Sequence, residues 1–179
     1  MNSRNIDWKR AAIKHARRPG AHVTTPFETA MPLRGELLAK YAQFYATFWR
    51  NGHVPRRTLE LCRRRIAAIH DCAAEWSIED AAAALSAAEA DQVRHGRFST
   101  FTEVERAALA VAEKIPFLHH DIDDGDVERI RSGLGEAGTV TLMTALAFFD
   151  ATARLRIIMN APVHPAILTD TPLRDGELY

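Results

Sequence analysis

An all-α fold follows from three observations: apolar residues recur at helical spacing in several segments, two Ser/Thr-x-x-Glu pairs stand before such segments, and no stretch sustains a period-two alternation. β-Branched residues are thinly spread, which leaves strands without support. With 179 residues the chain suits one domain with a real core and is short for two.

The first expected helix carries Leu37, Leu38, Tyr41, Phe44, Tyr45, Phe48 and Trp49 as a wide apolar stripe and stops at Asn51-Gly52. A second starts after Pro55, with Leu59, Cys62, Ile66 and Ile69 on one face. Arg63, Arg64 and Arg65 fall near its end, where positive charge suits the helix dipole, and it should stop near His70-Asp71. Asp71 is then available to cap a third, alanine-rich helix from Cys72 to about Ala87. Ser86 with Glu89 and Thr102 with Glu105 read as capping boxes for two more. After the second box, Val104, Ala107, Ala108, Val111, Ala112 and Ile115 trace a stripe that ends at Pro116. Val127, Ile130 and Leu134 mark a shorter helix before Gly135. The last long helix, from about Thr139 to Met159, is apolar nearly all round, as expected of a central helix or one at a subunit contact. Past Asn160, Pro162, Pro165 and Pro172 predict an extended tail.

Composition narrows the partners. Basic and acidic residues number 23 each, so no global field draws the chain to nucleic acid or to an anionic membrane surface. No run is apolar enough to span a bilayer, and the basic N-terminal stretch to Ala21 lacks a signal-type apolar core. Only Cys62 and Cys72 are present, too few for a disulfide-stapled scaffold; a cytoplasmic location is the expectation.

Glu60, Cys72, Glu75-Trp76 and Glu79 place ionisable groups within an alanine-rich helical stretch, and this is the candidate site. Cys72 in the first turn of its helix would gain thiolate character from the dipole, whereas Glu75 and Glu79 would oppose it; the alternative is a small core residue. Cys62 shares the stripe of Leu59, Ile66 and Ile69 and reads as core. One helix through both cysteines would hold them about 15 Å apart, so no disulfide is expected between them. Glu75 and Glu79 are one turn apart, and Glu60 can reach them from a neighbouring helix. Crowded carboxylates share protons, which would equip one as an acid or base near neutral pH. The competing reading pairs Glu60 with Arg64 at i,i+4 and turns Glu79 to water. His70 adds a proton shuttle or, with the glutamates, a metal ligand. Without a close His-x3-His or Glu-x2-His pair, no metal is expected there. His119, His120, Asp121, Asp123, Asp124 and Asp126 lack the calcium-loop pattern and read as a solvated acidic loop and helix start. Arg56, Arg57 and Arg63 to Arg65 would suit an anion, or serve as dipole partners. No phosphate-cradling glycine loop or nucleophile elbow occurs, and no cofactor is expected.

The leading helix from Leu33 to Asn51, the run Gly52-His53-Val54-Pro55-Arg56-Arg57-Thr58-Leu59-Glu60, and Cys72-Ala73-Ala74-Glu75-Trp76 at its spacing from Glu60 resemble the carboxymuconolactone decarboxylase and alkylhydroperoxidase AhpD-like proteins. The resemblance resumes from Ser99 to Ile115 and closes from Phe149 to Pro162, where Ala153-Arg154-Leu155 precedes Asn160-Ala161-Pro162. It implies a domain over residues 33–163 of about six to eight helices, with an N-terminal extension (1–32) and a C-terminal tail (164–179). It also implies a homo-oligomer, as dimer, trimer or hexamer, with the site near the cysteine turn.

In the peroxidase branch of that family a Cys-x2-Cys-x3-His motif works with an upstream glutamate. The matching positions here are Cys72, Glu75, Glu79 and Glu60, so the second cysteine and the histidine are both glutamate. The usual disulfide cycle cannot run on that set, and a single-cysteine peroxidase would need an external thiol. The decarboxylase branch needs only a general acid, a role open to Glu60 or Glu75. A carboxylated lactone is anionic, however, and would be repelled unless Arg64, Arg65 or His70 supplied compensating charge. Three readings follow: glutamate acid–base catalysis on a small organic molecule, thiol-dependent peroxidase activity through Cys72, and a non-catalytic ligand- or partner-binding protein.

Overall fold

The computed structural model describes residues 31–50 and 52–159, and all regular elements among them are helical. A 3-10 turn, Met31–Arg34, leads into α1 (Gly35–Arg50). Then come α2 (Arg56–Ile69), the single-turn α3 (Ala73–Trp76), a 3-10 turn at Ala81–Ala83, α4 (Ala87–Arg94) and α5 (Glu103–Lys114). A last 3-10 turn, His119–Asp121, precedes α6 (Asp124–Met159). No helix among these residues is long and apolar enough to cross a membrane. Asn51, most of the N-terminal extension and the tail lie outside the described residues.

Local signals account for most boundaries. Ser86 and Glu89 form a complete capping box on α4, and Thr102 and Glu105 form one on α5. Arg57 ties the two boxes together: its Nε donates to Glu105 Oε1 at 2.8 Å, and its Nη2 is bonded to Glu89. That guanidinium, with the Ser86 donors, holds the Glu89 carboxyl down at about 2. Asp123 and Asp126 cap α6 reciprocally, and Lys114 and Arg129 pair with Asp126. The acidic run read as a loop and helix start is therefore occupied by capping and ion pairs. Gly135, at φ 69° and ψ 179°, breaks α6 into the two helices expected on either side of it. Just beyond, Gly138 lies so close to the 53–55 turn that a Cβ would fall 2.8 Å from the His53 carbonyl oxygen.

Two expectations need correction. The third helix does not run from Cys72 to Ala87, and Asp71 does not cap it: Asp71 is left-handed at φ 50°, and Cys72 occupies the cap position of the four-residue α3. The carbonyls of Glu75 and Ile78, which a continuing helix would offer to later amides, accept hydrogen bonds from Arg63 instead. Nor are Arg63 and Arg64 dipole partners at a helix end, because both side chains are buried.

The core explains this. α2 packs against both α5 and α6, which also pack on each other, and against α3 and α4. One face gives Leu59, Cys62 and Ile66 to the main core, where they meet Val111 and Ala112 of α5 and Leu146 and Phe149 of α6. The opposite face gives Leu61 to a smaller core with Val93, Phe101 and Leu109. Burial is unbroken from Thr58 to Arg64, so the charged residues in that run are enclosed along with the apolar ones. α1 closes the remaining side with an aromatic cluster in which Tyr45, Phe48 and Trp49 surround Phe149.

Candidate functional site

Burying a glutamate and two arginines on one helix is costly unless each charge finds partners, and the surrounding geometry supplies them. Glu60 sits at 1% exposure. Arg63, one turn on, grips it with both arms, Nη2 to Oε1 at 2.8 Å and Nε to Oε2 at 2.9 Å. Arg64 Nε adds a bond to Oε1 at 2.9 Å. The i,i+4 pairing of Glu60 with Arg64 is therefore present, within a larger network. From the opposite side, Arg63 Nη1 reaches the Glu75 carbonyl and, at 3.1 Å, Glu75 Oε2; Nη2 reaches the Ile78 carbonyl at 2.6 Å. Arg156, from the far end of α6, pairs with Glu75 Oε1. Arg63 thus stands between the two carboxylates that the sequence reading placed in direct contact. Burial works against its charge, but Glu60 and Glu75 outweigh that cost and hold it protonated.

The five groups are unequal in sign. Arg63, Arg64 and Arg156 bring three guanidiniums against the two carboxylates of Glu60 and Glu75. A third carboxylate, Glu79, reaches Arg64 Nη2 at 2.9 Å from outside, with its own side chain 76% exposed. Glu79 does not share a helix face with Glu75, since α3 ends at Trp76. Next to it, Asp80 is buried, caps the following 3-10 turn and takes a two-armed bond from Arg56 at 2.9 Å on each side. The ring of Trp76 lies between Arg64 and Arg94, with their guanidinium carbons 5.3 and 5.1 Å from its centre.

Tyr45 joins the site from α1. Burial and then the negative charge of Glu75 push its hydroxyl well above the usual phenol range, so it keeps its proton at any physiological pH. Cys72 is buried at 3% exposure. Burial pushes its thiol up and the Glu75 charge adds to this, while the Glu75 backbone N–H and Arg156 only partly oppose them. A one-turn helix adds little against that balance, which favours the small-core-residue reading of Cys72 over the thiolate one. The expected outcome of alkylation with iodoacetamide, followed by mass spectrometry, is a Cys72 midpoint above the free-thiol value of about 8.5 and a rate at neutral pH at least about tenfold below that of a free thiol. A midpoint below that value would return Cys72 to the reactive class. Cys62 lies wholly in the core as read, its thiol is also pushed up by burial, and both cysteines are free.

His70 is outside this cluster. At the C-cap of α2 its Nε2 is bonded to Asp150, which also accepts from Arg154 Nε at 2.9 Å, and its ring packs edge-on against Phe117. The shuttle expected from chain proximity is thus replaced by a tie between α2 and α6. Of the five candidate residues, then, Glu60, Cys72 and Glu75 come together, Glu79 guards the surface side through Arg64, and His70 serves elsewhere. Sequence reasoning missed Arg156, Tyr45 and Asp80. Arg156 had one available signal: it is one of two cations, with Arg154, in a largely apolar helical stretch, and a cation on the inward side of such a stretch has to find a buried anion.

The fold and the cluster together define an all-helical protein built around a buried carboxylate–guanidinium network. No protein-family model matches the chain, and no curated protein matches it.

Proposed function

We propose that the protein is a cofactor-free acid–base enzyme acting on a small carboxylated molecule, as its resemblance to the carboxymuconolactone decarboxylase-like proteins implies. The observation that carries this reading is that three buried guanidiniums, Arg63, Arg64 and Arg156, converge on the Glu60 and Glu75 carboxylates, while the third carboxylate they pair with, Glu79, is exposed. It answers the electrostatic objection to an anionic substrate. Glu79 is the exposed member of the network, so a substrate carboxylate can take its place on Arg64 without disturbing the interior pairs. Bound there, it lies next to Glu60, which shares Arg64. In decarboxylation the bond to the carboxylate breaks, its electron pair passes into the enolate of the neighbouring carbonyl, and carbon dioxide leaves. A protonated glutamate then delivers its proton to carbon and regains one from water. Glu60 and Glu75 are the two residues assigned to this exchange.

The test is loss of a carboxylated lactone, followed with carbon dioxide release. Glu75→Gln and Glu60→Gln should each lower turnover by about 100-fold or more, while Cys72→Ser retains it. Absence of turnover together with absence of saturable carboxylate binding would overturn the reading. A second, non-catalytic reading rests on a different observation: all four oxygens of Glu60 and Glu75 are already engaged by arginines. It expects carboxylate binding without turnover in the same assay.

A further inference from the structure

Arg64 faces two ways. Its Nε donates inward to Glu60 Oε1 at 2.9 Å, and its Nη2 meets Glu79 Oε1 on the outer side, also at 2.9 Å. The Arg64 side chain is 6% exposed and that of Glu79 76%, so the pair crosses the boundary between core and water. Among the described residues Arg64 is the only partner of Glu79. Glu79 caps no helix there, the cap of the next 3-10 turn being Asp80.

The chain on either side of Glu79 is fixed by contacts that leave its side chain out. Ile78 is buried, and its carbonyl accepts from Arg63 at 2.6 Å. Asp80 is buried as well. Its N–H is directed at Glu60 Oε1 at 3.4 Å, and Arg56 grips its carboxylate with both arms. When the Glu79 side chain swings off Arg64 into water, nothing in residues 78–80 has to move. What is lost is one ion pair with an exposed member, a weak interaction. The guanidinium it leaves stays in place, held by Glu60 at Nε and by the ring of Trp76, whose centre is 5.3 Å from the guanidinium carbon.

A carboxylate tethered in this way competes, at high local concentration, with any anion that approaches Arg64. An outside carboxylate binds only in the fraction of molecules whose seat is open, and its apparent affinity falls by that fraction. We propose that Glu79 is a built-in competitor, which occupies the carboxylate seat on Arg64 and sets the threshold for substrate binding there. The proposal rests on the reading of Arg64 as the anchor of a carboxylated substrate. It adds that the seat is closed in the free protein, that it opens by a side-chain movement alone, and that a neutral molecule of the same shape does not open it.

The probe is acetate at constant ionic strength, with acetamide as its neutral counterpart, added to the full chain. Occupancy is followed by the Arg64 Nε–H signal in heteronuclear NMR, which Arg64→Lys assigns by removing it. Half-saturation by acetate should come at about 3- to 10-fold lower concentration in Glu79→Gln than in the wild type, and acetamide should leave the signal unmoved. Glu79→Asp separates contact from field. It keeps the charge, but its carboxylate is one methylene shorter and no longer reaches Nη2, so acetate should bind it nearly as tightly as Glu79→Gln. Circular dichroism confirms that both variants fold, the side chain being exposed. Equal half-saturation in the wild type and Glu79→Gln would overturn the proposal, and so would an equal response to acetamide. A gain in Glu79→Gln that Glu79→Asp does not share would also overturn it, because charge alone would then account for the effect. Absence of a saturable shift in every protein would remove the seat, and the competitor with it. Turnover of a carboxylated lactone is scored separately. Tightened acetate binding without turnover leaves the competitor standing and removes the catalytic reading, while turnover without an effect at Glu79 does the reverse.

Discussion

Replacing Arg63 by alanine is expected to destabilise the protein by about 3–5 kcal/mol, the cost of removing one partner from a buried ionic group. Arg63 is 1% exposed and satisfies four acceptors at once: the carboxylates of Glu60 and Glu75 and the carbonyls of Glu75 and Ile78. Alanine leaves Glu60 with Arg64 and Glu75 with Arg156, but strands both carbonyls and removes the guanidinium that, among the described residues, joins the two carboxylates. The measurement is urea unfolding. With a slope of about 2 kcal/mol per molar, the midpoint should fall by about 2 M with the slope unchanged. Arg63→Lys separates charge from shape. An ammonium keeps the charge but lacks the planar fork, so most of the loss should persist. A fall below about 1 kcal/mol for the alanine variant would mean that water enters and replaces the guanidinium, and that the network does not organise the 75–78 turn.

Phe149→Ala is the second large effect, also about 3–5 kcal/mol, for a different reason. Phe149 is 2% exposed where α1 crosses α6, with the rings of Tyr45, Phe48 and Trp49 all within 6.4 Å, centre to centre. Those rings are stiff and meet at fixed angles, so the space left by the missing ring cannot readily collapse. Phe44→Ala is the control. Its side chain belongs to the same aromatic group but is 45% exposed, and its loss should cost less than about 1 kcal/mol of protomer stability. If the two variants are equally mild, the neighbouring rings rearrange and α1 is not fixed by this contact.

Both predictions concern the same division of labour. The Tyr45, Phe48 and Trp49 stripe was visible in the chain because a helix repeats its face every three or four residues, and so was the burial of α1 on that side. What Arg63 does was not visible. Its neighbours Arg64 and Arg65 look identical to it in sequence, yet Arg65 pairs with Glu113 of α5, while Arg63 and Arg64 turn toward Glu60.

The sequence by itself determined whatever depends on residues a turn or less apart. The two capping boxes, the break at Gly135 and the core stripes of α2 and α5 all belong here. Tertiary structure decided what depends on groups far apart in the chain. Arg156 meets Glu75 across 81 positions, and His70 meets Asp150 across 80. Arg63 ends the alanine-rich helix after one turn by taking its carbonyls, which excludes Glu79 from the face it would have shared with Glu75. The physical reason is that caps and stripes are set by local geometry, which the chain carries wherever it goes. The partner of a buried charge is set by which helices pack together and at what rotation, and only the assembled core selects that.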